Sequence, residues 1–96
     1  MTVPFRIDTD PTGRNTKAII IDTCDHQGRP LRLFLSYDTV IAVRGYDVDG
    51  SDDCARREND WGPTTGRHFR DLGCADFPTV ADFPAYVRAH YGLDIR

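Results

Sequence analysis

Between Asp47 and Asp60 the chain gathers the side chains most able to do chemistry with charge. Asp47, Asp49, Asp52, Asp53, Glu58 and Asp60 are set against only Arg56 and Arg57, a formal −4 over residues 45–60 in a chain whose net charge is −3. Counted from Asp47, the run has twelve positions and ends on Glu58, the length and the closing carboxylate of a calcium loop. Its sixth position, however, is Asp52 where that loop needs glycine for its sharp turn, and its flanks read as strand and coil. The expectation is a solvated acidic loop that engages a basic partner surface, and not a calcium site.

Two other chemistries use residues scattered along the chain. Cys24, His26, Cys54, His68 and Cys74 are zinc-ligand types, but none forms the closely spaced Cys or His pairs of a zinc knuckle, so buried thiols and surface imidazoles are expected, with no metal and no cofactor. A cysteine nucleophile would need a base and an orienting group brought together in a pocket. A small sheet with two short helices leaves little room for a deep cleft, and the chain is expected not to be an enzyme. The third candidate is the segment carrying Arg67, His68 and Arg70. Arg67 and Arg70, three apart, share one helical face and can grip phosphates or carboxylates. His68 either joins them toward a partner or hydrogen-bonds to the strand it packs on. The candidate partner-binding residues are therefore Asp47, Asp49, Asp52, Asp53, Glu58, Asp60, Arg67, His68 and Arg70.

These side chains must be held by a scaffold whose densest β-favouring stretch is Leu31 to Arg44. Leu31, Leu33 and Leu35 alternate with Arg32, Phe34 and Ser36, and Val40 to Val43 is a largely β-branched run after a turn at Tyr37-Asp38, which together read as a hairpin. Lys17 to Thr23 is apolar enough for a central strand and returns through the polar loop Cys24 to Pro30, where Gly28 can take positive φ. Val3, Phe5 and Ile7 suggest a short strand that Pro4 confines to an edge or a strand start. Gly45 to Asp53 reads as an exposed loop, and Cys54 to Trp61 as a short further strand.

Two helices should follow. Gly62-Pro63 is punctuation, Thr64 or Thr65 is a suitable N-cap, and Thr65, His68, Phe69 and Leu72 fall at helical spacing within Gly66 to Leu72, closed by Gly73. A last helix runs from about Phe83 to Tyr91. Phe83, Val87 and Tyr91 form its stripe, flanked by Tyr86 and His90, with Asp82 as N-cap, Pro84 in the first turn and Gly92 as the stop. The predicted architecture is α+β: an antiparallel sheet of three to five strands with two short C-terminal helices packed on one face. The predicted core is Phe5, Ile19, Ile21, Leu33, Leu35, Val40, Ala42, Trp61, Phe69, Leu72, Phe83 and Val87.

Ninety-six residues, 40% of them hydrophobic, suffice for one domain spanning 1–96 without metal or disulfide support. The N-terminus lacks the pattern of a signal peptide and no run is long enough to span a bilayer, so a cytoplasmic location with reduced thiols and no membrane partner is expected. The near-neutral charge argues against broad, salt-driven nucleic-acid binding. An exposed strand edge makes a homodimer conceivable.

Ser36-Tyr-Asp-Thr-Val-Ile-Ala-Val43 and Trp61-Gly-Pro-Thr-Thr-Gly-Arg-His68 together resemble a pattern of small accessory proteins of bacteriophages and other mobile elements. There a strand beginning Ser-Tyr-x-Thr-x-Val-Ala is followed by Trp or Tyr and then by Thr-Thr-x-x-His opening a helix. Ile41 replaces a valine of that pattern, and the acidic loop is longer. The resemblance implies a setting, a phage or prophage product in a bacterial cytoplasm, and carries no activity with it. With the acidic loop, it suggests an interaction protein that binds and inhibits a host protein or ribonucleoprotein complex, in the manner of an anti-CRISPR protein. The alternatives are a small nucleic-acid-binding accessory factor using Arg56, Arg57, Arg67 and Arg70, and an enzyme subunit or minor virion part without chemistry of its own.

Overall fold

The computed structural model describes residues 6–9, 18–37, 39–47, 49–58 and 63–95. Phe5, Asp60 and Trp61 lie outside them, as do Met1 to Pro4 of the expected first strand. The elements are β1 (Arg6–Thr9), β2 (Ala18–Cys24), β3 (Pro30–Ser36), β4 (Thr39–Tyr46), β5 (Asp52–Arg57), α1 (Pro63–Asp71), β6 (Thr79–Val80) and α2 (Phe83–Tyr91). Strands β1 to β5 form an antiparallel meander in chain order, the α+β arrangement the sequence predicts, and β6 adds two residues parallel to β5.

The hairpin β3–β4 is the middle of this sheet. Its turn carries Tyr37 at a φ of 58°, left-handed backbone that disfavours most residues other than glycine. Leu35 pairs with Val40 but Phe34 with Ala42, so Ile41 is an inserted bulge residue. Ile41 and Ala42 consequently pack in the same cluster.

The two helices do not share a face, which corrects the predicted packing. Ile20, Phe34, Ala42 and Arg56 are in register across four strands, and this row packs under Phe69 of α1 and Leu72 just after it. Their sequence neighbours Ile21, Leu33, Val43 and Ala55 form the next row, which meets Phe83, Val87 and Tyr91 of α2. Adjacent strand residues point to opposite faces, so the helices cover opposite sides of the sheet. Both Leu33 and Phe34 are buried for that reason, and a single helical layer would have left one of them in water. The two-residue β6 at the sheet edge is where the chain crosses from one face to the other.

Helix boundaries follow local rules. In α2 the Asp82 carboxylate accepts from the Ala85 amide at 3.2 Å, and Gly92, at a φ of 69°, closes the last turn by donating its N–H to the Arg88 carbonyl. Helix α1 begins at Pro63, earlier than the predicted Gly66, because proline is tolerated in a first turn; Thr64 and Thr65 are thus inside the helix rather than ahead of it. Gly73 ends it in left-handed conformation as expected. Of the predicted core, Leu33, Ala42, Phe69, Leu72, Phe83 and Val87 are buried, whereas Ile19, Ile21, Leu35 and Val40 are half-buried. Among the described residues, no helix is long and apolar enough to cross a membrane.

Candidate partner-binding site at the acidic turn

The stretch predicted as one exposed loop from Gly45 to Asp53 is largely strand. Gly45 and Tyr46 end β4, Asp52 and Asp53 begin β5, and only residues 47–51 connect them. This geometry also ends the twelve-residue calcium loop, since Asp52 to Arg57 are extended along a sheet strand and their carboxylates alternate between faces. Among the described residues no three His, Cys, Asp or Glu side chains gather as a metal site.

The turn itself is tightly closed. The Asp47 amide donates to the Ser51 carbonyl at 2.8 Å, and Gly50, at a φ of 84°, donates to the Asp47 carbonyl at 2.9 Å. Asp49 accepts from the Ser51 amide and hydroxyl at 2.9 and 2.6 Å, and these bonds hold its carboxyl below the usual carboxylate range.

Two further elements brace the turn. In the β2–β3 loop the buried Asp25 accepts from the amides of Gln27 and Arg29 and from Arg29 Nε. Burial pushes the Asp25 carboxyl up, but these bonds and the guanidinium charge outweigh it, and the net shift is downward. So held, Arg29 donates to the Asp47 carbonyl at 2.7 Å and to the Tyr46 carbonyl at 3.3 Å. From α2, His90 Nδ1 donates to Asp47 Oδ1 at 2.9 Å, with its ring stacked on Tyr86 at 4.0 Å between centroids. The β2–β3 loop is in turn tied to the helix end, where His26 donates its amide to the Tyr91 carbonyl at 3.0 Å. A Cβ on Gly92 would come within 2.6 Å of the His26 side chain, so this junction excludes any larger residue.

The predicted acidic residues therefore part company. Asp49, Asp52 and Glu58 are exposed and available to a partner. Asp53 is not: its Oδ2 accepts from the hydroxyls of both Tyr86, at 2.6 Å, and Tyr91, and lies 4.0 Å from His90 Nδ1. It is the anchor of α2 on β5. Burial, followed by the hydrogen bond to Asp53, pushes both tyrosine hydroxyls well above the ordinary phenol range. Asp47 has a middle role, half-exposed and tied to His90.

The α1 set divides in the same way. Arg67 and Arg70 are exposed on the helix. His68 is fully buried and shares a hydrogen bond with Ser36 Oγ on β3, so it takes the strand-bonding role and is withdrawn from the partner-binding set. Tyr37 covers it, with ring centroids 5.6 Å apart. Cys74, in the core cluster with Phe69 and Leu72, is completely buried, and desolvation pushes its thiol up to about 12. Arg56 and Arg57 lie over Phe69 and Phe83, at 4.0 and 5.1 Å from the ring centroids.

Residue types alone did not single out Asp25, Arg29, Tyr86, His90 and Tyr91 as parts of the site. The available signals were the Asp-x3-Arg spacing in a glycine-containing loop and two polar aromatics flanking the apolar stripe of the last helix.

Comparison with known proteins adds one match: the model of DUF8033, a family of unknown function, covers residues 7–78. No curated protein and no solved structure matches.

Proposed function

Because this chain belongs to DUF8033, a family of unknown function, we propose its role from the geometry of the acidic turn: a protein-interaction domain that docks the turn onto a basic surface of a partner. One observation carries this reading. Arg29 from one loop and His90 from α2 converge on Asp47 and fix a turn that displays Asp49 and Asp52 outward. A braced turn loses little conformational freedom on docking, and charge on a fixed scaffold favours rapid, selective encounter with an oppositely charged surface. With the phage-like motif, the partner class is a host protein or ribonucleoprotein complex whose cationic channel the turn occupies, in the manner of an inhibitor of bacterial defence.

The nucleic-acid reading draws on fewer residues. Arg67 and Arg70 are exposed, but Arg56 and Arg57 are engaged with aromatic rings.

The test is affinity capture from lysate of a bacterium with active defence systems, with and without nuclease, using the native protein and an Asp49→Lys/Asp52→Lys variant. Asp53 is left intact because its reversal would unseat α2. A stoichiometric, nuclease-resistant partner that the native protein retains and the variant loses, at unchanged melting temperature, is the expected result. Equal capture by both proteins would remove the acidic turn from the mechanism. Nucleic acid alone, lost on nuclease treatment, would favour the second reading.

A further inference from the structure

Helix α1 covers only part of its face of the sheet. The row Ile20, Phe34, Ala42 and Arg56 lies beneath it, but two positions farther along each strand the same face presents Asp22, Arg32, Arg44 and Cys54, in register. Beyond them Tyr46 pairs with Asp52. This end of the face is an open groove of about 370 Å³, lined among others by Asp22, Arg32, Arg44, Tyr46 and Asp52.

Its charges are unevenly matched. Arg32 and Arg44 stand directly opposite one another on β3 and β4, an arrangement of like charges that is unfavourable by itself. Asp22 answers Arg32 with a two-point bond, from Nε at 2.7 Å and from Nη2 at 3.0 Å. Arg44 is exposed and makes no ion pair with the described residues. Asp52 is a diagonal neighbour of Arg44 along β5, at the usual cross-strand separation of about 7–8 Å. Among the described residues the groove therefore runs from acid to its paired arginine, then to an arginine without an ion pair, then to acid.

We propose that this groove is a second binding site, distinct from the acidic turn, for an extended acidic peptide segment of a protein partner, one carboxylate of which pairs with Arg44. The guanidinium fork suits a carboxylate, and a half-buried Tyr46 ring beside it supplies the aromatic anchor that protein-binding surfaces favour. The flanking acids select against the other large class of anions. A nucleic-acid backbone carries a negative charge every few ångströms, so a phosphate on Arg44 would bring its neighbours toward Asp52, the acid diagonal to Arg44, and toward the already neutral Asp22–Arg32 pair. A peptide can place a single carboxylate there and uncharged residues beside it.

The test is an amide chemical-shift titration of the isotope-labelled chain with the single-carboxylate glutamate peptide acetyl-Gly-Gly-Glu-Gly-Gly-amide, with acetyl-Gly-Gly-Lys-Gly-Gly-amide and inorganic phosphate as comparison probes. Saturable shifts confined to Arg32, Arg44, Gly45, Tyr46 and Asp52 are expected with the glutamate peptide alone. Arg44→Ala should weaken its binding about tenfold, the scale of one charge-assisted hydrogen bond. Arg44→Lys, which keeps the charge and loses the fork, should fall between the two and remains informative if the alanine variant folds poorly. Asp49→Lys should bind the peptide normally, so failure of the acidic-turn reading leaves this site standing and the reverse also holds. Undiminished binding by Arg44→Ala, equal shifts with phosphate, or shifts spread away from the groove would overturn the proposal.

Discussion

The two sides of the sheet solve one packing problem with similar parts and different polar bonds. On each side an arginine from consecutive positions of β5 lies over a helical phenylalanine, Arg56 over Phe69 and Arg57 over Phe83. On the α1 side the polar contact, Ser36 with His68, is entirely enclosed. On the α2 side it is a chain of groups at the margin, from Tyr86 and Tyr91 to Asp53 and from His90 to Asp47, ending at the exposed turn. An enclosed bond mainly specifies how a helix seats, because breaking it leaves a buried group without water. A marginal network can transmit the seating of a helix to a surface, and here that surface is the acidic turn.

Paired substitutions put this difference to the test. His68→Ala should cost about 2–4 kcal/mol in urea unfolding, since it opens a cavity and strands the Ser36 hydroxyl, whereas His90→Ala should cost under about 1 kcal/mol. Similar losses at the two histidines would erase the distinction. Asp53→Ala comes next, at about 1–3 kcal/mol, because the hydroxyls of the half-buried Tyr86 and the buried Tyr91 lose their acceptor. It should also broaden or shift the amide signals of residues 47–51, and an undisturbed turn would show that α2 does not position it.

An effect confined to high pH is in alkaline stability. The folded state holds the Tyr86, Tyr91 and Cys74 protons more tightly than the unfolded chain does. Above the unfolded values, about 10 for tyrosine, the unfolded state therefore releases protons first, and stability falls as pH rises. The Cys74 part begins at its ordinary value of 9.0 and runs to about 12. Unfolding followed between pH 8 and 11 should show Tyr86→Phe/Tyr91→Phe flattening the slope above pH 10, and Cys74→Ala the part that starts lower. A slope unchanged by both would separate these groups from alkaline stability.

Much of the scaffold was legible because its determinants lie within a few residues of one another. The hairpin, the Asp82 cap, Pro84 in the first turn, and Gly73 and Gly92 as helix stops all rest on contacts spanning four residues or fewer, or on a period of two. The start of α1 was less so, since Pro63 serves equally as a breaker and as a first-turn residue. The division of the acidic run into exposed and anchoring carboxylates was not legible at all. Asp53 and Asp52 are the same residue type in adjacent positions, and what separates them is the parity of β5 and the presence of α2 on one side of it.

The amino-acid order thus settled the meander, the glycine stops of both helices and the concentration of acid near residue 50. Tertiary structure decided which face each helix covers, that His68 is interior, that Asp53 belongs to the fold, and that Arg44 makes no ion pair with the described residues. Each of these depends on partners brought together from afar, such as Ser36 with His68 and Asp53 with Tyr91, or on the two-residue β6 edge that carries the chain between faces. Local propensity sees only neighbours along the chain, whereas burial and charge compensation are properties of the assembled sheet.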